Sequence, residues 1–302
     1  MDQQSKIFLI AGPTASGKSD FAIKLAKKIN GEIINADSMQ VYKQLKVLTA
    51  RPKSNRIDYI IHHLYGFLDV KKNFSTGQWL KLSIKKIKEI QRRKKIPILV
   101  GGTGLYFKAL TDGLVKIPNV PLKIRNETRK LQKKYGQTKF YQSLIKLDKL
   151  SKSKINQNDI QRSLRAYEVK KFTNISLFEW FKKTKKNFET NIFEKIYINY
   201  PRQDLIKRIN QRTEQMFRKG AIIEIKKFLK LKIRKENSSN KVIGVAEISN
   251  YLKKNINFDE TKEIISIKTR QYAKRQSTWA RGQMTSWQKI EPQYLKKYLK
   301  KF

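Results

Sequence analysis

The sequence of 302 residues contains no cysteine, and its two histidines are neighbours, His62 and His63. Without cysteine, a disulfide framework, a thiolate metal site and a cysteine nucleophile are all excluded. Consecutive residues of a strand point to opposite faces, so we do not expect the two histidines to bind one metal ion together.

Long apolar runs are also missing from the sequence. The run nearest the start, residues 7–12, is far shorter than the ~20 residues that cross a bilayer. It also lacks the basic flank and the small-residue cleavage site of an export signal. We therefore expect a cytoplasmic protein with no membrane partner.

Acidic residues are scarce, since 24 Asp and Glu face 68 Lys and Arg, which gives a formal charge of +44. Such a field attracts polyanions, of which nucleic acid is the first candidate and an anionic membrane the second. The chain is also crowded with Lys, Ile and Asn, a composition that an AT-biased genome produces at unconstrained surface positions. Charge alone therefore supports a nucleic-acid partner without establishing one.

Apolar residues make up 39% of the sequence and aromatic residues 11%, which is enough for a packed core and excludes wholesale disorder. At roughly 100–200 residues per domain, the length predicts two domains or one α/β domain with an insertion. Apolar runs at 7–10, 33–36 and 97–100 predict strands, and the spacing of apolar residues predicts helices at 18–29 and 79–93. Because strands alternate with helices, we predict a parallel sheet with right-handed crossovers.

The pattern changes after Gly113. Residues 121–194 have a mostly helical and strongly basic pattern, and residues 196–198 predict a strand that returns to the core. Helical patterns follow at 203–232 and 259–285. The predicted domains are a core formed by residues 1–117 and 195–302, and a helical insertion of residues 118–194.

A glycine-rich loop lies between the first predicted strand and helix. Residues 12–19 match G-x-x-x-x-G-K-[ST] in full, in the context that this motif requires. The backbone N–H groups and the helix N-terminus face an anion, Lys18 supplies a positive charge, and the Ser19 hydroxyl can ligate Mg²⁺. The motif predicts a diphosphate or triphosphate ligand without specifying which. The candidate phosphate-binding residues are Gly12, Pro13, Thr14, Ala15, Ser16, Gly17, Lys18 and Ser19.

Two further loops follow predicted strands. Asp37 comes after the second strand, at the rim where ligands of parallel sheets bind. Its carboxylate could ligate Mg²⁺, act as a general base or cap a helix. Residues 101–106 follow the third strand and bring backbone N–H groups and the Thr103 hydroxyl to the same rim.

The second half of the chain contains two polar segments of helical pattern. Gln161 and Arg165 are four residues apart and share one face, which suits either a ligand contact or a solvated surface. Residues 269–281 combine cations, aromatic rings and glutamines, a combination that suits RNA binding. The alternative is a solvated basic face with Tyr272 and Trp279 packed inward.

Taken together, these segments resemble the tRNA dimethylallyltransferase (tRNA isopentenyltransferase) family. The matching pieces occur in the family's order and span nearly the whole chain. They are residues 12–19, 37–42, 49–52, 62–64, 101–106, 158–162, 165–166, 208–209, 212, 220, 243–244 and 269–281.

The resemblance implies an α/β fold with a P-loop nucleotide-kinase-like parallel-sheet core and a mostly helical insertion that binds tRNA. It implies transfer of a dimethylallyl group from dimethylallyl diphosphate to the exocyclic amine of the adenosine 3′ of the anticodon, with release of diphosphate. Mg²⁺ held at Ser19 is the implied cofactor, tRNA is the implied partner, and we expect a monomer. Lys18, Asp37 and Thr103 are the implied catalytic residues, with Asp37 accepting the proton of the attacking amine.

The resemblance also places the RNA contacts. The positions that match tRNA-binding residues of the family are Asp37, Ser38, Met39, Gln40, Thr103, Arg125, Gln161, Arg162, Ser163, Leu164, Arg165, Lys274, Arg275, Gln276, Trp279 and Arg281. Either Arg208 or Arg212 is expected to reach the diphosphate.

This chain departs from the family pattern at six positions, which affects local loop geometry and the packing behind the tRNA-binding face. Glycine is usual at Gln44, Leu48 and Asn174, an aromatic residue at Val245, and bulky apolar residues at Ser277 and Ala280.

Three other functions are compatible with parts of the sequence. A free adenylate isopentenyltransferase would not need the long basic second half. A P-loop small-molecule kinase would need lid arginines over ATP, and the sequence supplies no clear lid. An RNA-binding protein without activity would not need the intact phosphate loop together with Asp37.

Overall fold

The computed structural model describes residues 6–52, 56–57 and 59–302. The chain divides into two compact units. The first consists of Met1–Thr111 and Phe188–Phe302, and the second of Asp112–Asn187.

The first unit is organised around a sheet in which seven strands are described. In sheet order they run β3-β4-β2-β5-β1-β6-β7, and all neighbours are parallel except β3, which is antiparallel to β4. The predicted parallel sheet is therefore confirmed. The strands are β1 (Ile7–Ala11), β2 (Gly31–Asn35), β3 (Arg56–Ile57), β4 (Ile60–His63), β5 (Ile96–Gly101), β6 (Phe193–Ile198) and β7 (Gln288–Ile290).

Helices connect the strands and form the second unit. The helix α4 is interrupted at Gly136, whose φ of 75° and ψ of 170° are not helical. The helices are α1 (Lys18–Lys28), α2 (Thr76–Arg92), α3 (Gly104–Thr111), α4 (Leu122–Leu147), α5 (Ile160–Thr173), α6 (Leu177–Lys182), α7 (Arg202–Arg218), α8 (Ala221–Lys230), α9 (Val245–Leu252), α10 (Phe258–Gln283) and α11 (Leu295–Leu299).

The central strands are apolar along their whole length because both faces of the sheet are covered. Every residue of β1, β2 and β5 is buried, as expected for parallel strands between helical layers. Trp79 and Phe107 pack on one face, whereas Phe21 and Leu25 of α1 pack on the other. The carboxyl ends of these strands therefore share one rim of a rigid support.

One predicted helix was wrong in its extent. Residues 203–232 form two helices, α7 and α8, rather than one. Gly220 separates them with a φ of 91°, a backbone conformation that side chains other than glycine rarely adopt.

The second unit has its own apolar core, which includes Val120, Leu144 and Val169. Asn174 ends α5 in the left-handed conformation with a φ of 57°. Asparagine tolerates this conformation better than most residues, so the departure from the family's glycine preserves the turn. None of the described helices has the length and apolar character of a membrane span.

A buried carboxylate at the amino end of β2 carries a stability prediction. The Glu32 side chain is 1% exposed and lies 2.6 Å from His63 Nε2 and 2.7 Å from Arg93 Nη2. Burial acts to raise the pKa of Glu32, but the hydrogen bonds from Arg93 and His63 outweigh burial and lower it. A lowered pKa means that this stabilisation is present above the carboxyl's ordinary pKa and is lost as the pH falls.

We expect Glu32→Gln to lower the free energy of unfolding by about 1–3 kcal/mol at neutral pH, because hydrogen bonds to a charged group are lost. Urea denaturation at pH 7 and at acidic pH checks this, and the difference between variant and wild type should shrink in acid. Glu89→Gln, at a partly exposed i,i+3 pair with Lys86, is the control. A difference independent of pH would contradict the prediction.

Candidate active site

The phosphate loop joins β1 to α1. Gly17 precedes the helix with a φ of 80°, so a residue with a side chain would be strained there. Lys18 Nζ donates a hydrogen bond to the Pro13 carbonyl oxygen at 3.2 Å. Ser19 is exposed in the first turn of the helix, and the Ser16 hydroxyl is buried without a hydrogen-bond partner among the described residues. The predicted strand–loop–helix context is present.

Hydrogen bonds of the Asn35 side chain fix Asp37 just beyond β2. Asn35 Oδ1 accepts from the Asp37 N–H at 2.8 Å, and Asn35 Nδ2 donates to the carbonyl oxygens of Asp37 and Leu64 at 3.0 Å each. The Asp37 carboxylate in turn accepts from the Met39 N–H at 2.8 Å. These bonds orient the carboxylate on the rim of the sheet.

Thr103 meets the Asp37 loop from the neighbouring strand. Its hydroxyl accepts from the Ser38 N–H at 2.9 Å, and its own N–H donates to the Ala36 carbonyl oxygen at 3.2 Å. The predicted association of the two rim loops is therefore observed. Gln40, in the same loop, donates from Nε2 to the Thr49 carbonyl oxygen at 2.9 Å.

A cavity of about 270 Å³ opens beside these loops. Thr14, Asp37 and Arg212 supply polar groups to its wall, and Tyr272 and Arg275 reach it from α10. The rest of the lining is largely apolar. It includes Met39, Leu48, Ile209, Met216, Val242 and Ile265.

Two cations and a carboxylate interact around this cavity. Burial lowers the pKa of Lys18 to about 8, against the attraction of Asp37, and the Arg212 charge lowers it further. Burial also lowers the pKa of Arg212, which Asp37 opposes. The site therefore holds more positive than negative charge, as an anionic ligand requires.

The two arginines on α7 are placed differently. Arg212 is half-buried and donates from Nη1 to Thr14 Oγ1 at 2.8 Å. Arg208 is exposed, donates from Nε to the Ala15 carbonyl oxygen at 2.7 Å, and lies 5.3 Å from the centre of the Tyr200 ring. Arg212 lines the cavity beside Asp37, whereas Arg208 does not.

A carboxylate that the sequence analysis missed holds the loop of residues 46–48. Glu224 on α8 accepts from the backbone N–H groups of Lys46 (2.6 Å), Val47 (2.7 Å) and Leu48 (3.0 Å). This loop carries Leu48 into the cavity wall. A Cβ atom on Gly244 would collide with Leu48, so the glycine makes room for leucine at this position.

The donor set available to a divalent cation is small. Among the described residues no group of three or more His, Asp or Glu side chains could hold a metal ion. The oxygen donors at the rim include the Ser19 hydroxyl and the Asp37 carboxylate, which are ligand types that Mg²⁺ prefers. Mg²⁺ that is bound mainly by phosphate and water needs no more from the protein, so the residues present fit that ion.

A comparison with protein-family models finds a match over most of the chain, which begins just after Asp37. The model of IPP transferase matches residues 40–283. The chain belongs to the IPP transferase family. The resemblance on which the sequence analysis relied is thereby confirmed.

Curated relatives extend this IPP transferase match to the whole chain. The tRNA dimethylallyltransferase of Pelagibacter ubique is 62% identical over 301 residues, which cover 100% of this chain and 96% of that protein. The tRNA dimethylallyltransferase of Rickettsia massiliae is 44% identical over 283 residues, which cover 93% of this chain and 78% of that protein.

Solved structures of IPP transferases have the same fold. The full-length tRNA isopentenylpyrophosphate transferase of Bacillus halodurans matches with a TM-score of 0.70 and 32% identity, covering 98% of this chain and 95% of its own. A eukaryotic dimethylallyltransferase acting on tRNA matches with a TM-score of 0.82 and 29% identity, and the match covers 95% of this chain and 73% of that chain. The predicted fold class, with a P-loop NTPase-like core, is confirmed.

The remaining predicted RNA contacts of this IPP transferase fall into two groups. Arg125 on α4 and residues 161–165 on α5 belong to the second unit. Gln161 and Arg162 are exposed, whereas Ser163 and Leu164 are buried. Arg165 interacts electrostatically with Arg125 and Glu168, and burial lowers the pKa of its guanidinium.

The other group lies on α10, in the first unit. Lys274, Arg275 and Arg281 are exposed, as RNA contacts require. Gln276 and Trp279 are half-buried and face the interior of the unit. The inward packing of Trp279 corresponds to the alternative that the sequence analysis left open.

Proposed function

We propose that this chain is a tRNA dimethylallyltransferase that transfers a dimethylallyl group to the exocyclic amine of the adenosine 3′ of the anticodon. The observation that carries this proposal is the largely apolar cavity in which the phosphate loop, Asp37 and Arg212 meet. A phosphate site alone fits many enzymes. An apolar wall directly beside it fits a donor that joins a diphosphate to a branched hydrocarbon.

In the reaction, the adenine nitrogen forms a bond to the donor's first carbon while the bond from that carbon to the diphosphate oxygen breaks. The electron pair of the broken bond leaves with the diphosphate, and the amine must lose one proton. Asp37 is the proposed acceptor of that proton, because its carboxylate is held at the rim and retains free lone pairs. Thr103 is proposed to orient the acceptor loop.

The leaving diphosphate gathers negative charge as the carbon–oxygen bond breaks. Lys18, the loop N–H groups and Arg212 are proposed to stabilise this charge, since all of them belong to the phosphate loop or adjoin it. When bound through Ser19 and the diphosphate, Mg²⁺ would neutralise part of the same charge. The apolar side chains of the cavity are proposed to hold the five-carbon group and to exclude water.

The acceptor is proposed to bind through the exposed cations of both units. Lys274 and Arg281 on α10 and Arg162 in the second unit are exposed and can pair with backbone phosphates. Arg125 is half-buried, and its Nε is buried without a hydrogen-bond partner among the described residues. The adenine must leave the loop stack to reach the cavity. A cytoplasmic location and a monomeric state remain predictions that accompany this function.

Of the two arginines, we propose that Arg212 contacts the diphosphate. We expect Arg212→Lys to lower kcat/KM for the donor on the order of 10- to 100-fold, because lysine cannot keep the guanidinium contacts of a buried site. Arg208→Lys should have a smaller effect, because Arg208 is exposed and outside the cavity. Initial rates at varied donor concentration check both variants, and a larger loss in the Arg208 variant would reverse the assignment.

The proposed function is tested with labelled dimethylallyl diphosphate and tRNA carrying an adenosine 3′ of its anticodon. We expect label on that tRNA and none on the same tRNA with guanosine at that position. Label that appears on AMP instead would identify a free-nucleotide prenyltransferase. Phosphate transfer from ATP without prenylation would identify a kinase, and either result would overturn the proposal.

A further inference from the structure

Gln276 bridges the two loops that form the active site. Its Oε1 accepts from the Thr14 N–H in the phosphate loop at 2.8 Å, and its Nε2 donates to the Gly102 carbonyl oxygen at 2.9 Å. The two loops follow β1 and β5, which are neighbours in the sheet. A single side chain of α10 therefore ties together loops that are about ninety residues apart in sequence.

Glycines in the second loop make room for this contact. A Cβ atom on Gly102 would collide with Gln276 Nε2, and a Cβ atom on Gly104 would collide with the Trp279 ring. Trp279 packs against the core cluster of the first unit. The inward face of α10 thus packs closely against the loop of Gly102 and Gly104, in addition to the hydrogen bond with that loop.

The groups that Gln276 holds are connected to the proposed catalytic residues. Thr14, fixed through its N–H, accepts from Arg212 through its hydroxyl at 2.8 Å. Tyr272, one turn before Gln276 on α10, lines the cavity and lies close enough to the Thr103 and Gln276 side chains to interact with both. Displacing Gln276 would therefore shift Arg212 on one side of the cavity and Thr103 on the other.

We propose that Gln276 is a positioning residue for the transfer reaction rather than an RNA contact. It holds the phosphate loop and the Gly102 loop at a fixed separation. The first carbon of the donor and the acceptor amine are thereby held at the distance and orientation that the reaction needs. This inference rests on the proposed function and deepens it. Because the Thr14 N–H is engaged by Gln276, the diphosphate is left with the loop N–H groups that follow Thr14.

Charge and exposure assign RNA binding to other residues of the same helix. Both ends of the Gln276 amide are already bonded to backbone groups, whereas Lys274 and Arg281 are exposed cations. A half-buried neutral amide adds little to phosphate binding, which depends on positive charge. The outward face of α10 is therefore suited to tRNA, and the inward face to the geometry of the site.

The test measures donor-side and RNA-side binding separately in Gln276→Met. Methionine has a similar length and makes neither hydrogen bond. We expect the Kd for inorganic diphosphate with Mg²⁺, measured by calorimetry, to rise and kcat/KM for the donor to fall, each on the order of 10- to 100-fold. The Kd for tRNA should not change. Lys274→Met should give the opposite split, with weaker tRNA binding and unchanged diphosphate binding.

One control variant and one further variant of Gln276 complete the test. Gln283→Met, on the exposed last turn of α10, should match the wild type in every measurement. Gln276→Glu keeps an acceptor for the Thr14 N–H but sets a carboxylate against the Gly102 carbonyl oxygen. We expect it to weaken diphosphate binding while the melting temperature shows that the protein is folded.

Weaker tRNA binding with unchanged diphosphate binding in both Gln276 variants would overturn the proposal, and so would equal losses on the two sides. If the wild type binds diphosphate but transfers no label to tRNA, the proposed function fails. The diphosphate measurements would still decide whether Gln276 sets the phosphate loop, so the two failures are distinguishable.

Discussion

Replacing Asp37 with asparagine is expected to lower kcat by roughly 10²- to 10⁴-fold, the usual contribution of a general base. Asparagine keeps the oxygen that accepts from the Met39 N–H at 2.8 Å, so the loop should retain its shape. It cannot take the proton of the amine. Single-turnover transfer of labelled dimethylallyl to tRNA measures the effect, and tRNA binding by filter retention should be preserved.

Asp69 offers a matched control for this substitution. Its Oδ1 accepts from the Lys71 N–H, two residues on, at the same distance of 2.8 Å, and Asp69 does not line the cavity. Asp69→Asn should therefore leave turnover unchanged. A parallel loss of turnover and tRNA affinity in Asp37→Asn would contradict the assignment of Asp37 as the base.

Replacing Lys18 with methionine is expected to lower kcat/KM for the donor on the order of 10²- to 10³-fold, as is typical when one preorganised group that stabilises developing negative charge is removed. Methionine keeps most of the length of the side chain but has no charge. Its effect should appear in donor binding as well, because Lys18 lies in the phosphate loop. Steady-state rates at varied donor concentration, with saturating tRNA, measure the loss.

Lys24→Met on the exposed side of α1 is the control for the removal of one positive charge from a strongly basic protein. It should change tRNA binding slightly, through the overall field, and leave the donor's KM unchanged. If Lys18→Met and Lys24→Met lower kcat/KM for the donor equally, Lys18 has no specific part in holding the diphosphate.

The features that the sequence predicted well are those with a local signature. β1, α1 and the loop between them combine an apolar run, a glycine motif and a helical period within about thirty residues. β7 and α11 were missed because they are three and five residues long. So short a segment repeats its pattern at most once, which is too little to identify it, and its structure depends on its neighbours in the fold.

The parts of the site that the sequence could not predict depend on contacts between distant residues. Glu224 lies on an amphipathic helix, where a lone carboxylate is most simply interpreted as a solvated residue. Its three backbone partners are more than 170 residues away. Gln276 raised the same difficulty, because helical spacing shows which residues share a face but not whether that face meets RNA or a loop of the same chain.

The place of β6 in the sheet bears on how the protein is made. β1 lies between β5 and β6, and Ile7 pairs with Phe193. While the ribosome is still synthesising the residues before Phe193, β1 has only one neighbour, so the backbone N–H and C=O groups along its other edge are open to any passing strand. One edge of β1 therefore stays unpaired, and prone to aggregation, until about two thirds of the chain has been synthesised.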